Sequence, residues 1–312
     1  MIPAGPDPFH GIYAATPCPL DGDLAPDEPT LAAHLDRLAG VPGLAGFLLN
    51  GHAGENAAMS HSDQKRVMAV AAETVGGRSI LVAGVNCENS LDAARHARAM
   101  EAAGADALMV FPPNGWALHQ DEEGVVGHHR RVLDATGAPV MLFQAAVGAG
   151  GLAYPASTLE RLARLPRVVA IKEGSWEVAA YEEHRRLVRS AAPGVAVMGS
   201  GDEHLFTSCV IGSEGSIVSL AAVIPEPIIG LHEAVGAGRL DAARAFHERI
   251  YPLARAVYRL APGGRATARL KTCLELLGHF PCDRVLPPAI ATPRDERPRL
   301  EEALDAALAS SP

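Results

Sequence analysis

Eight short apolar runs, each closed by turn residues, alternate with longer alanine-rich amphipathic stretches, and this repetition constrains the chain more than any other feature. The runs are 12–16, 46–50, 80–84, 107–111, 140–144, 168–172, 196–199 and 215–220. They are continuously apolar rather than alternating, which is the pattern of strands covered on both faces and so of parallel pairing. Between them the 3.6-residue period predicts helices over 29–39, 61–74, 91–103, 122–135, 156–163 and 177–191, with Ser60, Asn89 or Ser90, and Asp121 as N-caps. After residue 222 only helices follow, over 225–235, 240–260, 266–277 and 299–308. The expectation is an α/β chain folded as a (β/α)8 TIM barrel. Its core spans 10–222, and 223–312 forms the last barrel helix and a C-terminal helical extension rather than an independent domain. At 312 residues the chain exceeds the usual barrel length of about 250 by enough for such an extension. A doubly wound sheet is the alternative, but Ile12-Tyr13-Ala14-Ala15-Thr16-Pro17 carries no G-x-G-x-x-G phosphate fingerprint.

A net charge of -9 without a basic cluster argues against nucleic acid and anionic lipid as partners and leaves small molecules. Cys18, Cys87, Cys209, Cys273 and Cys282 are odd in number and lack CxxC spacing, so neither a disulfide framework nor a zinc site is expected, and no metal or cofactor is implied. The segment Met1-Ile2-Pro3-Ala4-Gly5-Pro6 has no leader pattern, and no apolar run reaches about 18 residues, which predicts a cytoplasmic chain without membrane contact.

Of the 27 basic residues only Lys65, Lys172 and Lys271 are lysine. A composition that uses arginine wherever positive charge suffices keeps lysine where amine chemistry is needed. A guanidinium stays protonated, whereas an ε-amine can be desolvated into a neutral nucleophile that condenses with a carbonyl. Lys172 ends the sixth run, and period-two geometry sends Val168, Ala170 and Lys172 to one face, with small Ala170 leaving room for the lysine stem. A lysine at a strand end can also snorkel to solvent.

Barrel active sites form at the carboxyl ends of the strands. The residues there are Thr16, the turn Gly51-His52-Ala53-Gly54-Glu55, Pro112 to Asn114, Phe143-Gln144, Lys172, Ser200-Gly201-Asp202, and Ile217 to Ser219 of the eighth run. Gly51 and Gly54 are expected to let successive amides converge on a carboxylate. Glu55 and Glu173 are read as structural, capping amides or pairing with arginine, and the pair His128-His129 as a solvated helix face without metal-ligand spacing. Trp116 is read either as a stacking surface for a substrate ring or as cover for a subunit contact.

With Gly51-x-x-Gly54-Glu55 after strand two, Pro112 after strand four, Ile171-Lys172-Glu173 on strand six and Ser200-Gly201-Asp202 after strand seven, the chain resembles the dihydrodipicolinate synthase and N-acetylneuraminate lyase family of class I aldolases over roughly residues 10 to 280. The resemblance implies a TIM barrel, commonly a homotetramer, in which Lys172 forms a Schiff base with pyruvate or another 2-keto acid. It implies that backbone N–H groups of His52 and Ala53 hold the keto acid's carboxylate. Departures are equally specific. His52 and Ala53 replace two hydroxyl residues, Phe143 replaces the strand-five tyrosine that shuttles protons, Asn114 replaces a tyrosine from a neighbouring subunit, and the arginine that grips the second substrate of dihydrodipicolinate synthase falls near Gly148.

A phenyl ring transfers no proton, and positioned acid–base groups contribute about 10²–10⁴-fold to such steps. His52, with an imidazole near pKa 6.5, is the first candidate to carry the relay, although it can also face solvent or make a structural hydrogen bond. The reading is therefore a Schiff-base-forming lyase, an aldolase or dehydratase acting on a 2-keto acid, with Lys172 and His52 catalytic and Thr16, Ala53, Asn114, Phe143, Gln144, Ser200 and Ile217 binding substrate. It is expected to assemble as a homo-dimer or homo-tetramer, and dihydrodipicolinate synthase activity itself is not expected. The alternatives are a decarboxylating dehydratase for a keto-deoxy sugar acid, or a degenerate barrel that binds keto acids without turnover.

Overall fold

In the computed structural model, which describes residues 9–309, each apolar run pairs in parallel with its neighbours in sequence. The strands are β1 (Gly11–Ala15), β2 (Leu44–Leu49), β3 (Ile80–Val85), β4 (Ala107–Val110), β5 (Val140–Gln144), β6 (Val168–Glu173), β7 (Ala196–Gly199) and β8 (Gly215–Val218), and β8 closes on β1. The segment Met1 to Pro6, read above for a leader, lies outside the described residues. The helices are α1 (Glu28–Ala39), α2 (His61–Val75), α3 (Ser90–Ala102), α4 (Glu122–Ala135), α5 (Ala156–Ala163), α6 (Val178–Ala191), α7 (Leu205–Ile211) and α8 (Pro225–Gly236), followed by α9 (Leu240–Tyr258), α10 (Ala266–Leu276) and α11 (Arg297–Leu308). Ser60, Asn89 and Asp121 accept from the first-turn amides of α2, α3 and α4 as their caps.

Two differences from the sequence reading have local causes. Helix α7 has only seven residues, too few for a helical period to show, and it starts directly from a 3-10 turn at Asp202–His204. In β6 the register slips against β5, with Val140 opposite Val168 but Met141 opposite Ala170. The extra residue turns Val168 outward to the helices and Val169 toward the barrel axis, so Val168 does not share a face with Ala170 and Lys172.

The barrel interior takes one central residue from every strand: Tyr13, Leu48, Val82, Met109, Met141, Ala170, Met198 and Ile217. A second, larger apolar layer lies between the barrel and the helices. Inner side chains fill the barrel, so the space it offers a ligand lies above them, where the loops are. Among the described residues no helix is long and apolar enough to cross a membrane, no cluster of three His, Cys, Asp or Glu could hold a metal ion, and all five cysteines are free.

The C-terminal helices are tied to the barrel by charge as well as by apolar contact. Lys271 on α10, fully buried, pairs with the buried Glu55 of the turn after β2 and donates to the carbonyl of Arg284 at 2.7 Å. Glu55 also accepts from the backbone N–H of Leu286 at 2.6 Å. Glu55 is thus structural as expected, but its partner is a lysine rather than an arginine. Removing one member of a buried pair strands the other charge, which typically costs about 3–5 kcal/mol. Lys271→Met is therefore expected to lower the unfolding free energy by that amount in chemical denaturation, and an unchanged midpoint would contradict the pairing.

Candidate active site

The carboxyl ends of the strands open into a cavity of about 460 Å³. Lys172 and Ile217 form its floor side, Phe143, Asn114, His52 and Ala53 one flank, and Ser200, Asp202 and Ser219 the flank beyond β7 and β8. Helix α9 and the segment after it add Tyr258 and Arg259, and α10 adds Thr267 and Leu270. The distal wall is Ala145, Ala146, Ala149 and Leu152 from the loop after β5.

Lys172 is 9% exposed, and its amine lies 5.6 Å from the centre of the Phe143 ring. Burial lowers its pKa to about 8, while the carboxylate of Asp202 pulls weakly in the opposite direction. Asp202 is itself buried, which raises its pKa to about 6 against the hydrogen bond it accepts from the Leu220 N–H at 2.6 Å. The cavity thus holds an amine and an acid whose proton affinities have been drawn toward each other by loss of hydration.

His52 packs its ring 4.6 Å from that of Phe111 and 5.2 Å from that of Phe143. Solvent reaches it through the mouth, yet the protein wall around it and the Lys172 charge both oppose protonation, so its pKa lies below the ordinary value and the imidazole is neutral at pH 7. The N–H groups of Gly54, Glu55 and Asn56 are spent on carbonyls within the turn, whereas those of His52 and Ala53 donate to no backbone carbonyl among the described residues. The glycines act differently from the expectation. Gly51 and Gly54 are not left-handed; the positive φ angles belong to Asn50 (53°) and Glu55 (58°). Closeness favours glycine at 54, where a Cβ would stand 3.2 Å from the Asn50 nitrogen, and requires it at Gly84, where a Cβ would meet the Asn50 carbonyl oxygen at 1.9 Å.

Seven of the nine predicted site residues line the cavity: Lys172, His52, Ala53, Asn114, Phe143, Ser200 and Ile217. Thr16 and Gln144 do not. The Thr16 hydroxyl turns back to the carbonyl of Ala14 at 3.2 Å. The Gln144 amide accepts from Tyr154 N–H at 3.0 Å and donates to Tyr154 C=O at 3.2 Å, which pins the loop after β5 and holds the buried side chain out of the cavity lining. Glu173 faces away too, accepting from Ser175 and pairing with His184 at 2.7 Å rather than with an arginine. His128 and His129 are buried rather than solvated: His128 contacts the Ser90 hydroxyl at 3.0 Å, His129 donates to the Val125 carbonyl at 2.9 Å and accepts from the Tyr154 hydroxyl at 3.3 Å. Trp116 packs edge-on against His128 and does not reach the cavity. Tyr258, Arg259 and Thr267 were missed, because a reading confined to strand ends does not see side chains arriving from helices that follow the barrel.

Lys172 in the folded state resists protonation, so below pH 8 it carries a standing penalty. A fall from 10.5 to about 8 corresponds to roughly 3 kcal/mol. The penalty is full below the folded value and is relieved as pH rises toward the unfolded value, where the unfolded chain still binds a proton that the folded chain has lost. Lys172→Met is expected to stabilise the fold at pH 7 by up to roughly 3 kcal/mol in denaturant titrations, with the gain shrinking between pH 8 and 10.5. Destabilisation at pH 7 would contradict a desolvated amine.

The Dihydrodipicolinate synthetase family profile matches residues 8–307. The chain is 31% identical over 271 residues to 4-hydroxy-tetrahydrodipicolinate synthase 1 of Streptomyces coelicolor, covering 87% of this chain and 85% of that protein. It is 30% identical over 271 residues to 4-hydroxy-tetrahydrodipicolinate synthase of Hyphomonas neptunium, covering 85% and 89%. In fold it is similar to YagE, a prophage protein of the dihydrodipicolinic acid synthase family from E. coli K12 solved with pyruvate, with a TM-score of 0.88, 24% identity, and coverage of 96% and 98%.

Proposed function

The chain belongs to the Dihydrodipicolinate synthetase family, a family of class I aldolase-type lyases, and from that premise we propose that it forms a Schiff base through Lys172 with a 2-keto acid and cleaves or dehydrates the resulting adduct. The observation that carries the reading is a buried amine, with pKa lowered to about 8, ending a barrel strand inside the cavity. Lys172 attacks the C2 carbonyl and expels water. The iminium then draws electrons from C3, so that a proton is lost there or the C3–C4 bond breaks. The keto acid's carboxylate is held by the unspent N–H groups of His52 and Ala53. His52, neutral at pH 7, adds a hydrogen bond from its ring rather than a charge.

Ser200, Asn114 and Phe143 shape the space around C3, with Ile217 beneath it. The distal wall, alanine and leucine where dihydrodipicolinate synthase carries its gripping arginine, supports a substituted pyruvate with an uncharged distal end over true dihydrodipicolinate synthase activity. Arg259, the guanidinium that does reach the cavity, is already paired with Glu203 at 2.7 Å. Assembly as a homo-oligomer rests on the family resemblance, and five free cysteines fit a reducing compartment.

Pyruvate with cyanoborohydride is expected to give a reduced adduct on Lys172 detected by peptide mass spectrometry, at a rate that rises with pH and levels off near 8. Lys172→Arg is expected to give none. An adduct on Lys65 or Lys271, or no adduct across a panel of 2-keto acids, would overturn the assignment.

A further inference from the structure

Resting on that reading, we propose that Tyr258, backed by Asp202, is the proton relay at the reacting carbon, entering from the β7–β8 side of Lys172 in place of the hydroxyl that Phe143 lacks on the β5 side. Tyr258 ends α9 and lines the same cavity as Lys172, Asp202 and Ser219. Its hydroxyl oxygen is buried, lies beside the Asp202 carboxyl and the Ser219 hydroxyl, and makes no hydrogen bond of proper geometry to either. A buried hydroxyl held beside an acid and a second hydroxyl without a well-formed bond to either can exchange a proton with its neighbours and turn to a substrate atom. Burial and the neighbouring acid hold the phenol well above its ordinary pKa of 10.0, so it stands as a donor at rest. The Asp202 carboxyl feels both the Lys172 ammonium and Glu203, and Glu203 is balanced by Arg259.

The proton count closes without another reagent. The Lys172 ammonium gives one proton to the Asp202 carboxylate and attacks C2, and the proton on the attacking nitrogen passes to the carbonyl oxygen through the Tyr258 hydroxyl. This gives the neutral carbinolamine. The Asp202 acid then protonates the C2 hydroxyl through the same phenol, the C–O bond breaks, water leaves, and the nitrogen lone pair forms the C=N bond. Lysine ammonium and ketone have become iminium and water, with Asp202 again a carboxylate beside the new cation. Its position suits it to take the C3 proton by the reverse path.

A relay changes the speed of adduct formation and not its final extent, which separates it from a residue that merely supports the pocket. With pyruvate and cyanoborohydride, Tyr258→Phe is expected to label Lys172 to the unaltered end-point at a rate about 10²–10⁴-fold slower. Adding Phe143→Tyr to that variant, which returns a hydroxyl from the β5 side, is expected to recover a measurable part of the rate. Labelling of Tyr258→Phe at the unaltered rate would overturn the relay alone, as would a rate and end-point that fall together without recovery in the double variant. Failure of the unaltered protein to label at all removes the imine, and the relay with it.

Discussion

Water is a better environment for an ammonium ion than any part of this cavity, and the withdrawal of water from Lys172 is the constraint from which the rest follows. Once the amine ends an inward-facing strand, the wall around it raises the cost of its charge and draws its pKa to about 8. The same loss of hydration raises Asp202 to about 6. The two shifts that matter most thus move toward each other, and a proton passes between such groups at less cost than between the same groups in water. At pH 7 about a tenth of Lys172 is neutral amine, whereas a lysine in solvent near 10.5 is neutral in only about 0.03% of molecules and attacks correspondingly more slowly.

Backbone geometry delivers the amine to that place. The slip between β5 and β6 adds a residue near the bottom of β6, so that Ala170 and Lys172 face inward although Val168 does not. Ala170 is the smallest of the eight central interior residues and leaves room for the lysine stem. Helices α9 and α10 then close the cavity from above with Tyr258, Arg259, Thr267 and Leu270. The buried pair of Glu55 and Lys271 links the turn that holds His52 and Ala53 to α10. The C-terminal helices are therefore part of the site's wall and not an appendage to a finished barrel.

The barrel was legible because its signal is repetitive: parallel strands covered on both faces must be continuously apolar, and eight such runs in series admit few other arrangements. That Lys172, His52, Ala53, Asn114, Phe143, Ser200 and Ile217 would come together at one cavity was legible because barrel cavities open at strand ends. Thr16 and Gln144 obey the same rule and yet do not line the cavity, since position at a strand end does not decide whether a side chain turns to the mouth or to nearby backbone. The scarcity of lysine draws attention to Lys172, which lines the cavity, but has another meaning for Lys271, a buried cation whose single amine serves Glu55 and a carbonyl together. Tyr258 carried no signal at all, because its approach to the cavity is a property of how α9 returns over the barrel mouth.

Three lysines in the whole chain make the central quantity directly observable. With lysine side chains carbon-labelled at Cε, the account predicts that the resonance assigned by Lys172→Arg titrates near 8 and is displaced from its free position when pyruvate is added. Titration of that resonance at the ordinary value near 10.5, with no response to pyruvate, would contradict it.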